Sequence, residues 1–288
     1  MDIKSSSSHK KQEPERGFLY IVGTPIGNLN DISYRAIDIL KNVYLIASED
    51  TRQTRKIMIK YSLKNNLISF NQHNSLKRIS RIINNLNSGQ SVALVSDAGM
   101  PCICDPGEDL VREARSQGIK IICIPGPCAA ISALVSSGLP SSKFIFEGFL
   151  PKKNSERAKI ISEISENDKT TILFESPHRL KKLLDELKKY FGGEREIQIS
   201  RELTKKFEEH IGNNINEVID YYDGKEVLGE ITVVIKGKNK KNQNTRFNEF
   251  ELKKELNDLI NAGLKLSQAS KYLAKKNNLT KSQIYNMY

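Results

Sequence analysis

From Phe18 onward, short apolar runs rich in β-branched residues alternate with longer stretches in which apolar residues recur at helical spacing. The short runs predict strands at Phe18–Val22, Val43–Ala47, Val92–Val95 and Ile119–Ile124. The longer stretches predict helices at Ser33–Leu40, Thr51–Ile59, Ser75–Leu86 and Glu108–Ser116. Strands separated by helices are typical of βαβ units in a mainly parallel sheet, and continuously apolar strands indicate burial on both faces.

A second block follows the Gly/Pro punctuation at 148–151. It predicts helices at Glu156–Ile164, Arg179–Tyr190 and Ile215–Tyr222, and strands at Thr170–Phe174, Glu196–Ser200 and Glu230–Ile235. After a Lys- and Asn-rich linker, three short helices are predicted at Phe250–Ile260, Ser267–Lys275 and Thr280–Met287, with Ser267 and Thr280 as N-caps. We therefore predict an α/β protein with a disordered extension (1–17), two α/β domains (18–148 and 149–237), and a basic linker with a small helical module (238–288).

The net charge of +11 is unevenly distributed along the 288 residues. Residues 236–288 contain 12 Lys and Arg against 4 Asp and Glu, whereas residues 18–235 contain 29 against 27. A local excess of this kind favours binding to a polyanion, and the alternative is a solvated lysine-rich tail. No apolar run reaches the ~18–20 residues of a membrane-spanning helix, and the N-terminus lacks the apolar core of a signal peptide. We expect a cytoplasmic protein without a membrane partner.

Three Gly/Pro-rich loops each follow a predicted strand, at Val22–Asn28, at Ser96–Gly107 and at Ile124–Ala130. Open α/β sheets bind ligands at these strand ends, because glycine lets the backbone approach a ligand and helix N-termini offer free N–H groups. Each loop alone is also compatible with an ordinary tight turn. Three of them in one half of the chain predict a binding cleft.

The common cofactor motifs are absent. The chain has neither a Gly-x-Gly-x-x-Gly fingerprint nor a phosphate-binding P-loop, and its four histidines are dispersed. The pair Cys102 and Cys104 has no second pair or nearby histidine, so we expect no metal site.

Seven strings then occur in a characteristic order. They are Leu19–Leu29, Ala47–Arg52, Leu94–Gly99, Ile124–Ala130, Glu147–Pro151, Phe174–Arg179 and Ser200–Lys205. Together they resemble the bacterial small-subunit (16S) ribosomal RNA cytidine-2'-O-methyltransferases of the tetrapyrrole-methylase superfamily. The resemblance runs from about Phe18 to Gly237, and the basic helical tail is similar to the small C-terminal module of that family.

The resemblance implies S-adenosylmethionine as methyl donor, held in a cleft between the two α/β domains, 16S rRNA in the small subunit or its precursor as partner, and a homodimer. The residues that it places around the cofactor are Asp97, Ala98, Gly99, Pro125, Cys128, Ala129, Phe174, Gly229, Glu230 and Ile231. The loop 24–28, with Thr24, Pro25, Gly27 and Asn28, faces the acceptor together with residues 49–52. One departure concerns Met100, where the family usually has threonine.

Displacement at a sulfonium methyl depends on alignment, but a carboxylate can orient or deprotonate the ribose hydroxyl. Glu49, Asp50 and Glu175 are the candidates, and each is alternatively a helix cap or an ion-pair partner. The candidates for phosphate contacts are Arg52, Arg179, Arg201 and Lys205.

Two other functions are considered. One is methylation of a carbon in a corrin-type tetrapyrrole, which would leave the basic tail without a purpose. The other is a non-enzymatic nucleic-acid-binding protein with a helix-turn-helix-like tail. In such a protein the three cleft loops would have no function.

Overall fold

The computed structural model describes residues 13–72, 74–239, 249–277 and 279–288. They form two compact units, the first ending at Gly237 and the second beginning at Lys238. Most of the predicted disordered extension and of the linker lies outside the described residues. The prediction of disorder is wrong for Glu13–Gly17, because the Glu13 carboxylate accepts two hydrogen bonds from Arg35, at 2.6 and 2.7 Å, and the Glu15 N–H donates to the Tyr20 hydroxyl.

The first sheet is entirely parallel, as its sequence pattern predicted. Its strands β1 (Leu19–Val22), β2 (Leu45–Ser48), β3 (Asn66–Ser69), β4 (Val92–Val95) and β5 (Ile121–Ile124) lie in the order β3-β2-β4-β1-β5. Helices α1 (Tyr34–Asn42) and α2 (Thr51–Lys60) pack on one face, and α3 (Ser75–Asn87) and α4 (Glu108–Ser116) pack on the other. Every residue of β1, β2 and β4 is buried, which explains their uninterrupted apolar pattern.

The second sheet is mixed. Its strands are β6 (Phe144–Phe149), β7 (Thr170–Glu175), β8 (Glu196–Arg201), β9 (Glu209–Asn214) and β10 (Ile231–Ile235). They lie in the order β6-β7-β10-β8-β9, and only β6 pairs in parallel, with β7. Helices α6 (Asn154–Glu166), α7 (Pro177–Phe191) and α8 (Ile215–Tyr222) cover one face. The predicted domain boundary at 148/149 falls inside β6, so the second sheet begins at Phe144 instead.

Helix α5 (Ala129–Ser137) joins the two sheets. It follows β5 of the first sheet, and its Ala133 and Leu134 pack against Ile172 of β7 and Val234 of β10. The other face of the second sheet is therefore covered by a helix from the first half of the chain. Small residues such as Ala133, which is fully buried, let this helix lie close to the strands.

The second unit contains three helices, α9 (Glu249–Asn261), α10 (Leu266–Lys276) and α11 (Lys281–Tyr285), packed around Leu256, Leu273 and Ile284. Thr280 caps α11 in a capping box with Gln283, as predicted. The prediction of Ser267 as N-cap is wrong, because α10 begins at Leu266 and Lys265 occupies that position. The Ser267 hydroxyl instead accepts a hydrogen bond from Lys281 at 2.7 Å.

Helix α5 provides a test of how the two sheets are held together. We expect Leu134→Ala to lower the free energy of unfolding by about 2–5 kcal/mol, because Leu134 is 3% exposed and its removal leaves a cavity between the sheets. Val135 is the matched control, since it is 70% exposed on the same helix and Val135→Ala should change stability by less than about 0.5 kcal/mol. Urea unfolding of the two variants measures both. An equal loss in the free energy of unfolding for the two variants would contradict the packing of Leu134 between the two sheets.

Candidate active site

A cavity of about 400 Å³ opens between the two sheets, at the edge where the predicted cleft loops lie. The first half of the chain contributes Ala98 and Gly99 after β4 and Cys128 and Ala129 at the start of α5. The second half contributes residues from the end of β7, from β8 and the segment after it, and from the start of β10. Because β10 runs antiparallel to β7 and β8, the C-terminal ends of β7 and β8 and the N-terminal end of β10 lie at the same edge of the sheet.

Backbone contacts between the loops fix the wall of this cavity. The loops after β1 and β4 are joined by reciprocal hydrogen bonds between Thr24 and Gly99, at 2.9 and 3.0 Å. Gly99 adopts the left-handed conformation with φ +78° that glycine permits. The Thr24 side chain is fully buried, and its hydroxyl lies 3.3 Å from the Ser96 carbonyl oxygen. Thr24 therefore stabilises the contact between the two loops, which argues against its predicted contact with substrate.

The structure brings together most of the residues expected around a cofactor. The members of that set that line the cavity are Ala98, Gly99, Cys128, Ala129, Phe174, Gly229, Glu230 and Ile231. Asp97 and Pro125 do not line it. None of the eight residues predicted to contact substrate lines it either: Thr24, Pro25, Gly27, Asn28, Arg52, Arg179, Arg201 and Lys205.

The loop 25–28 instead lies beside the segment that follows β8. The Asn28 N–H donates to the Thr204 hydroxyl at 3.1 Å, and a Cβ on Gly27 would lie 2.5 Å from the Lys205 side chain. Pro25 is buried, whereas Gly27 and Asn28 are exposed. The loop therefore connects the two halves of the first unit and leaves only these last two residues accessible to a substrate.

Glu175 lines the cavity, but its carboxylate is fully engaged. It is completely buried and accepts hydrogen bonds from both terminal nitrogens of Arg157 at 3.2 Å and from the Ser176 N–H at 2.8 Å. The Arg179 guanidinium lies 3.3 Å away, and Arg157 also pairs with Glu186. A carboxylate held between two guanidinium groups has no free lone pair directed at a substrate. This corrects the prediction of Glu175 as general base.

Asp50 is also unsuited to that role. Its side chain accepts from the Arg52 N–H and so caps α2, and it forms a bidentate ion pair with the Arg52 guanidinium. Hydrogen bonds from Arg52 lower the pKa of Asp50 to about 2. A carboxylate this acidic is a poor proton acceptor near neutral pH.

Glu49 and Asp97 lie next to each other at the ends of β2 and β4. Asp97 accepts a hydrogen bond from the Asp50 N–H at 2.8 Å, and the Asp97 N–H points to the Glu49 carboxylate at 3.4 Å. Burial raises the pKa of Glu49, and the neighbouring carboxylates of Asp97 and Asp50 raise it further. Burial likewise raises the pKa of Asp97, with Asp50 adding to the effect. Of the three predicted bases, only Glu49 retains a basic carboxylate.

Three of the four cations predicted to contact phosphate are committed to internal partners. Arg179 pairs with Glu175, Arg201 with Glu209 at 2.8 Å, and Lys205 with Glu202 at 2.8 Å and Glu230 at 3.1 Å. Their side chains are 21–27% exposed. Arg52 differs, because its side chain is 84% exposed and its pairing with Asp50 lies at the surface. Only Arg52 keeps the position expected of a phosphate contact.

The cleft loop predicted at Ser96–Gly107 lines the cavity with Met100, and also with Ile103, Cys104 and Asp105, which were not among the predicted site residues. Burial, together with the nearby carboxylate of Glu49, raises the pKa of Asp105 to about 6. The string Asp105-Pro106-Gly107 marked the end of this loop, but a turn sequence of this kind does not show that its aspartate lines a cavity. The other missed lining residues are Ile26, Phe149, Ser176, Pro177, Ser200, Leu203 and Thr232.

The chemistry of the cavity suits an organic ligand with an apolar body. Apolar side chains such as Phe149, Phe174 and Leu203 form much of the wall, and the charged groups in it are the carboxylates of Asp105, Glu175 and Glu230. Within the described residues, no group of three or more His, Cys, Asp or Glu side chains is arranged to hold a metal ion. Among the described residues, no helix is both long enough and apolar enough to cross a membrane.

Residues 18–219 match the family model described as Tetrapyrrole (Corrin/Porphyrin) Methylases. Proteins named "Ribosomal RNA small subunit methyltransferase I" are similar over most of the chain. The relative from Synechocystis sp. is 41% identical, with 94% of this chain and 97% of the relative covered. The relative from Bacillus subtilis is 39% identical, with 95% and 94% covered. The relative from Thermotoga maritima is 47% identical, and 99% of it matches 77% of this chain.

Two solved structures share the fold. Uroporphyrin-III-C-methyltransferase from Thermus thermophilus superposes with a TM-score of 0.53 at 18% identity, covering 77% of this chain and 94% of that one. A cobalt precorrin-4 methyltransferase superposes with a TM-score of 0.59 at 13% identity, covering 76% and 95%. The fold class and the family expected from the seven strings are confirmed. The chain belongs to the tetrapyrrole (corrin/porphyrin) methylase family.

Proposed function

We propose that this chain transfers a methyl group from S-adenosylmethionine to the ribose 2'-hydroxyl of a cytidine in 16S rRNA of the small ribosomal subunit or its precursor. The observation that carries the proposal is the similarity, at about 40% identity over nearly the whole chain, to relatives named ribosomal RNA small subunit methyltransferase I. The likeness to tetrapyrrole-modifying enzymes is much lower in identity and concerns the fold.

The cavity fits S-adenosylmethionine in size and chemistry. Its volume of about 400 Å³ lies in the range of small-molecule sites, ~300–1,000 Å³. An adenosine would suit the apolar part of the wall, and the positive charge of the sulfonium would suit Asp105, the lining carboxylate that forms no ion pair with a described cation. Ala98, Gly99, Cys128, Ala129, Phe174, Gly229, Glu230 and Ile231 would hold this donor, which supplies an electrophilic methyl group.

The protein's own contribution is positioning. The Gly99 loop and α5 form one side of the cavity, the ends of β7 and β10 form the other, and the buried pair Arg157–Glu175 keeps the second side rigid. Holding an acceptor oxygen in line with a methyl group converts a bimolecular step into an effectively unimolecular one. We propose that Gly27, Asn28 and Arg52, which are exposed, contact the RNA. The homodimer implied by the resemblance and the cytoplasmic location expected from the sequence stay predictions.

Mass mapping of 16S rRNA tests the proposed function. Small subunits purified from cells that lack this protein are incubated with the protein and S-adenosylmethionine, in parallel with a corrin-type tetrapyrrole. We expect one added methyl group on the ribose of a single cytidine and none on the tetrapyrrole. Methylation of the tetrapyrrole alone would favour the alternative enzyme, and binding of RNA without any affinity for S-adenosylmethionine would favour the non-enzymatic protein.

Filling the cavity should abolish donor binding while preserving the fold. We expect Ala129→Leu to weaken the binding of S-adenosylmethionine at least tenfold, because Ala129 lines the cavity at the first turn of α5. Calorimetric titration measures the affinity. Ala262→Leu is the control, since Ala262 is exposed in the second unit and the same change there should leave the affinity unaltered. Unchanged affinity in a folded Ala129→Leu protein would remove this residue from the donor site.

Arg52 should contribute to RNA binding through phosphate. We expect Arg52→Gln to weaken RNA binding and to reduce the slope of log K against log salt by about one unit, since one phosphate contact is lost. Lys60→Gln, at the exposed far end of the same helix, should change neither quantity. Salt titrations of RNA binding by the wild type, Arg52→Gln and Lys60→Gln measure both quantities. Equal slopes for all three proteins would exclude a phosphate contact by Arg52.

The second unit should carry most of the electrostatic attraction to RNA. Residues 236–288 hold an excess of eight positive charges, whereas 18–235 hold an excess of two. We expect truncation after Gly237 to leave binding of S-adenosylmethionine unchanged, because every cavity residue precedes that point. The same truncation should weaken RNA binding and reduce the slope of log K against log salt. The same RNA affinity and slope for the truncated and full chains would identify the tail as a solvated appendage.

A further inference from the structure

Asp105 occupies a distinctive place in the cavity. It lies on the loop between β4 and α4, and two residues of that loop, Cys102 and Cys104, adopt the left-handed conformation with φ +70° and +63°. Their sulfur atoms lie against glycines that leave room for them: a Cβ on Gly107 would be 2.7 Å from the Cys102 sulfur, and one on Gly148 would be 2.8 Å from the Cys104 sulfur. The loop is thus packed into an arrangement in which Asp105 forms part of the cavity wall.

The other carboxylates that line the cavity are engaged or exposed. Glu175 is held by Arg157 and Arg179, and Glu230 pairs with Lys205 while its side chain is 76% exposed. Asp105, by contrast, forms an ion pair with no cation of the described residues. It is the one lining carboxylate that is both partly buried and free of a positive partner there.

The charged groups around Asp105 make its carboxylate more basic. Glu49 at the end of β2 and Asp97 after β4 both carry carboxylates near Asp105. Burial is the largest cause of its raised pKa of about 6. A general base works best when its pKa lies near the operating pH, and Asp105 meets that condition where Asp50, at about 2, does not.

We propose that Asp105 is the catalytic base of the methyl transfer, with Glu49 and Asp97 as positioning residues that maintain its basicity. The inference rests on the proposed function. As the ribose 2'-oxygen forms its bond to the methyl carbon, the carbon–sulfur bond breaks and its electron pair neutralises the sulfonium to a thioether. The proton of the 2'-hydroxyl passes to an Oδ atom of Asp105, which later releases it to solvent.

The first test is Asp105→Asn, which keeps the shape and removes the basic oxygen. We expect the rate of methylation of small subunits to fall by about 100- to 10,000-fold, while the affinity for S-adenosylhomocysteine, the neutral product, stays within about threefold of the wild type. The matched control is Asp109→Asn, because Asp109 is exposed on α4 and pairs with Arg112, and this variant should keep the wild-type rate. A rate within threefold of the wild type, or loss of product binding, overturns the proposal.

A readout independent of activity comes from stability. A carboxylate whose folded pKa is raised to about 6 destabilises the folded state above that pH, and the effect fades as the pH falls towards the unfolded value near 4. Asp105→Asn should therefore raise the thermal midpoint at pH 7.5, and the rise should shrink towards pH 4. A midpoint that does not rise at pH 7.5 contradicts the environment on which the assignment depends.

Glu49→Gln separates the two candidate bases. If Asp105 takes the proton, removing the neighbouring charge lowers the Asp105 pKa, and the acid limb of kcat/KM, near pH 6 in the wild type, moves to lower pH with most of the rate retained. A loss of rate in Glu49→Gln as large as that in Asp105→Asn assigns the base to Glu49 and overturns the proposal. A wild-type protein that binds S-adenosylhomocysteine but methylates no small subunit overturns the proposed function, whereas an active Asp105→Asn protein overturns only this inference.

Discussion

The cavity depends on close backbone contact between the loops that follow β1, β4 and β5. A Cβ on Gly126 would lie 2.8 Å from the Cα of Gly23, so two glycines are required where the loops after β1 and β5 meet. The antiparallel bridge between Thr24 and Gly99 then joins the loop after β4 to the same group. These contacts place Ala98, Gly99 and the start of α5 along one wall, before any side-chain chemistry is considered.

The second wall is held by a different kind of interaction. Helix α5 packs its small and apolar side chains on the second sheet, so the position of β7 and β10 relative to the loops follows from a buried apolar surface. At the end of β7, the chain then turns into α7 next to a buried carboxylate, and Arg157 compensates the charge of Glu175 there. Removing one partner of such a pair is costly, at about 3–5 kcal/mol, because it leaves a buried charge unpaired. The same residues therefore shape the cavity and resist its deformation.

The central strands could be predicted from the sequence, and the strands that were missed are β3, β6 and β9, which all lie at sheet edges. A central strand buried on both faces has an uninterrupted apolar run, whereas edge strands such as β9, with the sequence Glu-His-Ile-Gly-Asn-Asn, do not. Helix α5 was missed because it is apolar and small on nearly all sides, so its pattern has no helical period. The loops of the cavity were predictable because glycine and proline mark them. The roles of the charged residues were not, because a local pair such as Arg179–Glu175 or Lys205–Glu202 could equally be exposed, and the sequence does not show which carboxylates become buried or gain a second partner such as Arg157.

The ion pairs of the first unit also limit how much of its positive charge is available to attract RNA. Within the first unit, Arg179, Arg201 and Lys205 neutralise neighbouring carboxylates, so their charge is largely cancelled before a substrate approaches. The carboxylates of Glu49, Asp97 and Asp105 lie near one another after β2 and β4 and give that edge of the first sheet a negative character, which the Arg52 guanidinium offsets at the surface. The largest excess of positive charge lies instead in residues 236–288, so the sequence separates the groups that can attract a polyanion from the carboxylates that line the cavity.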